Sequence, residues 1–583
     1  MLEDKDLVSI QEVRSKVEKA YGAWRRYREF NQEQVDSIVE RMAAAARAAS
    51  QRLAEMAVEE TGYGNARDKL AKNLLCADLL PRRMRGMKTI GVLREIPEEK
   101  VTEIGVPVGV VAAILPTTNP TSTAIYKTLI ALKAGNAVVL SPHPNAKRCT
   151  CETAGILYQA AVEAGAPAEI IQCITTPTLE ATNALMRHEH TGVILSTGGH
   201  GIVKAAYSSG KPAFGVGPGN VPVMLERTAD VADAIGKIVD GKSFDYGTVC
   251  SSEQAVVYEE SLREGVVAAL KARRAYFCNA AQTEALGKLL LTPGWTVNPK
   301  CVGQPAPKIA SMAGFEVPPD TPILVVELSG VGKQHPLSAE KLSPVLSLYS
   351  VKDFAAGLGI CEALLRFGGL GHTCAIHSRD DARIREYGLR MPAFRVLVNT
   401  PAPQGSTGIT TNVFPSMTLG CGAMAGNITS DNVGPQHLIN IKRITYAVRK
   451  PEEAFEVPMA PRAEVRAADR AAVAGAVERY LASRGVSKGN PAPAGSRDVV
   501  ASVVDRFLAA RTAPEASPKP AAAPAAPPAP SAAPASIVDF VCENDVRDAL
   551  KASRKIFVGP KTIITPSARE FGDQFGILVL AQR

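Results

Sequence analysis

The sequence predicts an α/β protein built on a parallel, doubly wound sheet, with a helical and partly disordered C-terminal extension. Three observations predict it. Short apolar runs alternate with helical stretches from about residue 104 to 415. The chain is 46% hydrophobic and 21% charged, as a globular protein is. The composition then changes sharply after about 450. With 583 residues, and about 150 per domain, three or four units are expected.

The elements follow in order. Residues 9–80 carry apolar residues at three- and four-residue steps and read as helices. IGVPVGVVAAILP (104–116) reads as a buried strand and a turn. The helical stretch 121–135 closes on Gly135, a helix-stopping residue. NAVVLSPHP (136–144) is a second buried strand. A helix near 150–164, the strand EIIQCI (169–174), a helix near 178–187 and the strand TGVILS (191–196) complete the first α/β region, and a second runs from about 221 to 415.

The tail reads differently. VAGAVERYLASR (473–484) and VASVVDRFLAAR (500–511) are an internal repeat of amphipathic helices, the second with Ser496 as its N-cap. Residues 512–535 are almost all Ala, Pro and Ser, which suits an extended spacer. A terminal piece, 536–583, regains apolar patterning and ends in the strand-like GILVLA (576–581).

Several classes fall away. The net charge of +8 is spread out and forms no basic block, so no nucleic-acid partner is expected. No run of about 18 apolar residues suggests a membrane span. The N-terminus has no signal-like apolar core, so the expected location is the cytoplasm. The eleven cysteines are scattered without zinc-type pairs, which suits reduced thiols and no metal.

Chemistry-bearing residues sit at the turns. In SFDYGTVCSSEQAVV (243–257), Cys250 lies between a glycine-containing turn and a strand. It is a candidate nucleophile or a buried core cysteine. In PTTNP (116–120), Asn119 can donate its amide to an oxyanion or simply occupy a turn. STGGHG (196–201) joins a strand to a helix, as a dinucleotide-binding turn does, but without the usual glycine spacing. GVGPGN (215–220) is a second glycine-rich loop. Cys421, in GCGAMAGN, reads as structural or near a pocket. His372 and Cys374, in a GHTCAIH strand, offer a Cys/His pair or a buried strand.

Taken together, these segments resemble the CoA-acylating branch of the aldehyde dehydrogenase superfamily, including the propionaldehyde dehydrogenases of bacterial microcompartments. The matching segments, in order, are EETGYGNARDKLAKN (59–73), VPVGVVAAILPTTNPTST (106–123), STGGHGIVKAAYSSGKPAFGVGPGNVPV (196–223), FDYGTVCSSEQ (244–254), EKLSPVL (340–346) and GLGHTCAIHS (369–378). They span about residues 5–448. The first looks like the branch's early helix.

The resemblance implies a Rossmann-type cofactor domain at 1–220, with a return segment near 416–448 and an oligomerisation flap. It implies a catalytic domain at 221–415. The tail then divides into 451–511, 512–535 and 536–583. Cys250 would be the nucleophile and Asn119 the oxyanion donor. NAD would lie against Thr117, Thr118, Ser141, Pro142, His143, Ser196, Thr197, Gly198, Gly199, Val216, Gly217 and Glu340, the last holding the nicotinamide ribose. Coenzyme A would be the co-substrate.

Two departures matter. Val216 stands where hydrolytic relatives place a water-activating Glu, which favours CoA as the acyl acceptor. SPHP (141–144) replaces a lysine-bearing strand end that grips the adenosine ribose, leaving NAD against NADP open. The expected substrate is a short aldehyde: propionaldehyde from propanediol breakdown, with acetaldehyde or succinate semialdehyde as alternatives. The expected assembly is a homodimer or homotetramer. The repeated helices look like peptides that bind microcompartment shell or cargo proteins, or else form a hairpin packed on the enzyme.

Overall fold

The structure is a computed structural model of the chain, and it describes residues 4–457, 467–485 and most of 538–580. The second repeated helix (500–511) and the Ala/Pro/Ser segment (512–535) lie outside the described residues. The chain divides into two compact units, Met1–Met459 and Ala460–Arg583. No helix among the described residues is long and apolar enough to cross a membrane.

Two parallel sheets organise the first unit. The smaller has strands β3 (Val110–Ile114), β4 (Ala137–Ser141), β5 (Ile171–Cys173), β6 (Thr191–Thr197) and β7 (Ala213–Val216), in the order β5-β4-β3-β6-β7. The runs VVAAI and AVVLS are buried along their whole length, because helices cover both faces. The chain winds outward from β3 to β5 and then returns to β6. This leaves a crevice at the carboxyl ends of β3 and β6, where doubly wound sheets take ligands. Lys127, fully buried on helix Pro120–Lys133, spans it by donating to Ile114 O (2.6 Å) and Leu195 O (2.8 Å).

The larger sheet contains β8 (Val221–Leu225), β9 (Glu253–Glu259), β10 (Tyr276–Phe277), β11 (Leu324–Glu327), β12 (Val345–Val351), β13 (Gly371–His377) and β14 (Ala393–Val398). Its order is β10-β11-β12-β9-β8-β13-β14, with every pairing parallel. Only residues 217–220 separate the end of β7 from the start of β8. That short loop therefore joins the carboxyl edge of one sheet to the amino edge of the other.

Two expected elements come out divided. The run 104–116 is not one strand. Its first part belongs to β2 (Val101–Pro107), which pairs antiparallel with β1 (Gly91–Ile96) and β15 (Ile439–Thr445) in a separate three-stranded sheet. Gly109, at φ 117°, breaks the run before β3. Segment 59–73 is not one helix either. Helix Gln32–Thr61 ends on Gly62 at φ 68°, and Asn65 caps a new helix, Ala66–Leu74.

In the second unit, all but the last residue of the first repeat falls within helix Ala467–Ser483. Strands β16 (Val538–Val541), β17 (Ile556–Ile564) and β18 (Leu578–Leu580) form a parallel sheet beside helix Glu543–Lys551. Val541, Val546, Ala549, Val558, Ala568 and Ile577 make a small core there.

Candidate active site

The nucleophile segment begins with an unusual turn. After helix Val231–Ser243 the backbone places Asp245, Tyr246 and Gly247 at φ 48°, 54° and 75°. Two consecutive non-glycine residues in the left-handed region cost on the order of 1–2 kcal/mol each. Asp245 is fully buried, and its hydrogen bonds hold the turn in place. Its Oδ1 accepts from Asn65 N (2.9 Å), and its Oδ2 from Lys69 Nζ (3.1 Å), Thr248 Oγ1 (2.5 Å) and Lys72 Nζ. Its own N–H donates to Asp68 Oδ2 (2.7 Å). A Cβ on Gly64 would overlap the Asp245 carboxylate, so only glycine fits there. Burial would raise the Asp245 carboxyl, but Lys72 and Lys69 outweigh burial and hold it below its usual range.

Cys250 follows this turn and is half-buried. Its Sγ lies 3.2 Å from His372 Nε2, at the amino end of β13. His372 Nδ1 meets Thr373 Oγ1 (2.9 Å), which also accepts from Arg395 Nε (3.3 Å). Burial, reinforced by the charges of Glu340 and Cys421, pushes the Cys250 thiol up to about 12. Burial and then Arg395 push His372 down to about 3. The pair therefore rests as neutral thiol and neutral imidazole.

Asn119 stands at the N-cap position of helix Pro120–Lys133 but makes no side-chain bond to the helix's first turn, which leaves its amide for other partners. Its Oδ1 accepts from Lys72 Nζ (2.5 Å) and its Nδ2 donates to Thr118 Oγ1 (3.1 Å). Lys72 also reaches Thr248 Oγ1 (3.4 Å) and the Asp245 carboxylate. One buried ammonium thus touches both the Asn119 amide and the turn that carries Cys250.

The expected cofactor residues other than Glu340 lie together along the carboxyl edge of the smaller sheet and in the loops that leave it. Ile114 is in register with both Ser141 and Ser196, and Thr197 with Val216. Ser141 and Pro142 are buried, and Ser141 Oγ meets Thr182 Oγ1 at 3.1 Å. His143 is exposed, with Nδ1 accepting from Asn145 N (3.2 Å). Thr117 and Thr118 are half-buried in the turn after β3. A dinucleotide fits this edge. The buried hydroxyls of Ser196 and Thr197 have no partner, helix His200–Tyr207 has no side-chain cap, and space is open at Gly199 and Gly217. Glu340 Oε1 accepts from Gly219 N (3.2 Å), and burial pushes its carboxyl up to about 8. A Cβ on Gly219 would collide with the Cys250 carbonyl oxygen and press on the His372 ring, so the 217–220 loop lies directly against the nucleophile.

Sequence reasoning set the His372–Cys374 pair against a buried strand. The structure pairs His372 with Cys250 instead. Cys374 is fully buried between neighbours that include Tyr387 and Cys361. Cys421 lies near enough for its charge to act on Cys250 and Arg395. Lys69, Lys72 and Asp245 were missed. Their signal was present in the spacing of DKLAK, which puts both lysines on one helix face.

Residues 6–280 match the aldehyde dehydrogenase family. The chain is 44% identical over 443 residues to the bifunctional aldehyde-alcohol dehydrogenase of Escherichia coli K12, covering 75% of this chain and 50% of that protein. It thus spans about half the length of that relative. It is 36% identical to the acetylating succinate-semialdehyde dehydrogenase of Clostridium kluyveri, covering 75% of this chain and 96% of that protein. Among solved structures, an acetylating aldehyde dehydrogenase from Geobacillus thermoglucosidasius matches with TM-score 0.76 and 51% identity, over 77% of this chain and 99% of that one. Two propionaldehyde dehydrogenases match less closely, each at TM-score 0.67 over 74% of this chain and 97% of theirs. One, 28% identical, is from the Clostridium phytofermentans fucose microcompartment. The other, 27% identical, from Rhodopseudomonas palustris, holds CoA and an acylated cysteine.

Proposed function

The chain belongs to the aldehyde dehydrogenase family, and from that premise we propose that it oxidises a short aldehyde to its CoA thioester with reduction of NAD. The observation that carries this reading is the Cys250–His372 contact, in a site where β7 ends on Val216 rather than a carboxylate. Cys250 Sγ attacks the aldehyde carbon and its proton passes to His372 Nε2. Asn119 Nδ2 and the Cys250 N–H donate to the oxyanion. Ser196, Thr197, Gly198 and Gly199 would hold NAD at its pyrophosphate, Glu340 at the nicotinamide ribose, and Ser141–His143 at the adenosine end. NAD bound there would supply the hydride acceptor that the oxidation needs. The acyl group remains on Cys250 as a thioester. His372 releases the proton of the first step to solvent, then takes the CoA thiol's proton as that sulfur attacks the thioester and returns it to Cys250 Sγ as the thiolate leaves. The names of the acetylating relatives, and the CoA in the Rhodopseudomonas enzyme, support this acceptor.

Propionaldehyde is the substrate we favour, with acetaldehyde as the near rival. Succinate semialdehyde would need a cation for its distal carboxylate. Arg395, the guanidinium whose charge reaches Cys250, already donates to Gly420 O (2.6 Å) and Ser430 O (3.1 Å). The deciding assay is NADH formation with propionaldehyde, acetaldehyde and succinate semialdehyde, each with and without CoA. Sustained turnover is expected only with CoA, and least with the semialdehyde. Equal turnover without CoA would make water the acceptor and overturn the reading.

The same reading places the enzyme in a bacterial microcompartment. In helix Ala467–Ser483, Val473, Val477 and Tyr480 are exposed at helical spacing, a stripe that suits docking on shell or cargo proteins. Deleting 460–583 from a fluorescent fusion should release it from shells, and unchanged localisation would reject the idea. Assembly into dimers or tetramers is assigned to β15, an edge strand with Ile441 and Ile444 exposed.

A further inference from the structure

Three buried charges behind the site have no part in the chemistry so far. Lys69 and Lys72 are each 2% exposed and share the fully buried Asp245. The two ammonium groups share one buried carboxylate, and burial with the neighbouring Lys69 charge pushes Lys72 down to about 8 against the pull of Asp245 and Asp68. Asp68 stands at the rim of the cluster and Cys76 packs on the same stretch of helix. The donors are divided with some regularity. Lys69 Nζ donates to the backbone oxygen of Thr118 (2.9 Å), and Lys72 Nζ to the side-chain oxygen of the next residue, Asn119. Both also donate to Asp245.

An amide has one oxygen and one NH2 end, and which end faces the substrate decides whether Asn119 can donate to an oxyanion. Lysine can only donate, so Lys72 is compatible with the oxygen alone. The NH2 end must then point away from the cation. We propose that Lys72 is a positioning residue, fixing the Asn119 amide so that its N–H faces the substrate oxygen and tying it, through Asp245, to the turn that carries Cys250. This rests on Asn119 as the oxyanion donor. Lys72 touches no substrate. Its positive charge beside the amide oxygen also polarises the N–H, strengthening it as a donor to a developing anion.

The test is a double-mutant cycle on the pre-steady-state burst of NADH with propionaldehyde and NAD. Asn119→Ala is expected to slow the burst by about 10²- to 10³-fold. Lys72→Met leaves Lys69 paired with Asp245, and is expected to slow it by roughly 10- to 100-fold through kcat rather than KM. If Lys72 acts through Asn119, the double variant burns no faster and no slower than Asn119→Ala alone. Multiplying losses would show a general structural role and overturn the proposal. Asn119→Ala at the wild-type rate would remove the oxyanion reading itself. A slow Asn119→Ala beside an unaffected Lys72→Met would remove only the role of Lys72. Should Lys72→Met not fold, Lys72→Gln, which keeps one N–H for the Asn119 oxygen, is expected to retain most of the burst. A burst as slow as that of Asn119→Ala would count against positioning.

Discussion

Cys250→Ala is expected to abolish NADH formation, with a loss of about five orders of magnitude, while the protein stays folded. The size of the loss follows from what the sulfur does. It forms the bond to the aldehyde carbon and holds the acyl group until CoA arrives, and no neighbour can replace a covalent partner. The fold should survive because the side chain is half-buried and, among the described residues, its one side-chain hydrogen bond is to His372. The turn before it is held by Asp245, Lys69, Lys72 and Gly64, none of which touches the sulfur. A rival nucleophile stands close by: Cys421 is buried and feels the charge of Arg395. Its Sγ contacts the backbone oxygen of Leu419 (3.4 Å), and among the described residues no histidine or carboxylate is hydrogen-bonded to it. Steady-state turnover of Cys250→Ala above about one part in a hundred would move the nucleophile to Cys421. A midpoint of unfolding within a few degrees of wild type would show that the lost activity is chemical.

The sequence carried the fold well where local signals and burial agree. VVAAI and AVVLS read as strands because an unbroken apolar run bounded by turn residues has few other uses. It failed where one run serves two sheets. Nothing in IGVPVGVVAAILP marks Gly109 as the point where an antiparallel strand ends and a parallel one begins, since Gly105 sits inside β2 without breaking it. The site shows the same division. Ser141, Ser196, Thr197 and Val216 were legible because each ends a strand, and parallel register brings strand ends to one edge. His372 was singled out but set beside the wrong thiol, and Lys72 was not read at all. Their partners lie 122 and 47 residues away in the chain, so their roles exist only once the two sheets and helix Ala66–Leu74 are packed. A buried lysine on a helix also looks, in sequence, like any solvent-facing lysine.

His372→Asn is expected to slow both half-reactions by about 10²- to 10³-fold, within the range of a lost general base. Asparagine keeps a donor toward Thr373 but leaves nothing to accept the Cys250 proton. The pH dependence separates this role from simple packing. In wild type the imidazole sits near 3 and the thiol near 12, so neither ionises between roughly pH 5.5 and 8.5. Proton transfer inside the neutral pair makes a thiolate–imidazolium ion pair at 3.2 Å, whose mutual attraction offsets part of the gap between the two separate values, and its population does not change with pH over that span. The wild-type burst should therefore show no inflection near the usual imidazole value. In the variant the thiolate must form by loss of its proton to solvent. Its population rises tenfold with each pH unit below the thiol pKa, so the burst should climb with a slope near one. Stopped-flow bursts of NADH at several pH values read both slopes. A wild-type limb centred near pH 6.5 would mean His372 is basic in the working enzyme. A variant profile as flat as wild type would mean the proton leaves Cys250 by another route. CoA-dependent release of the acyl group reports the second half-reaction. There the incoming thiol is not buried before it binds, so its own ionisation can partly replace the base. The variant should therefore recover more of its second step than of its first at high pH. A loss equal in both steps at every pH would point to disturbed packing around β13 rather than to a missing base.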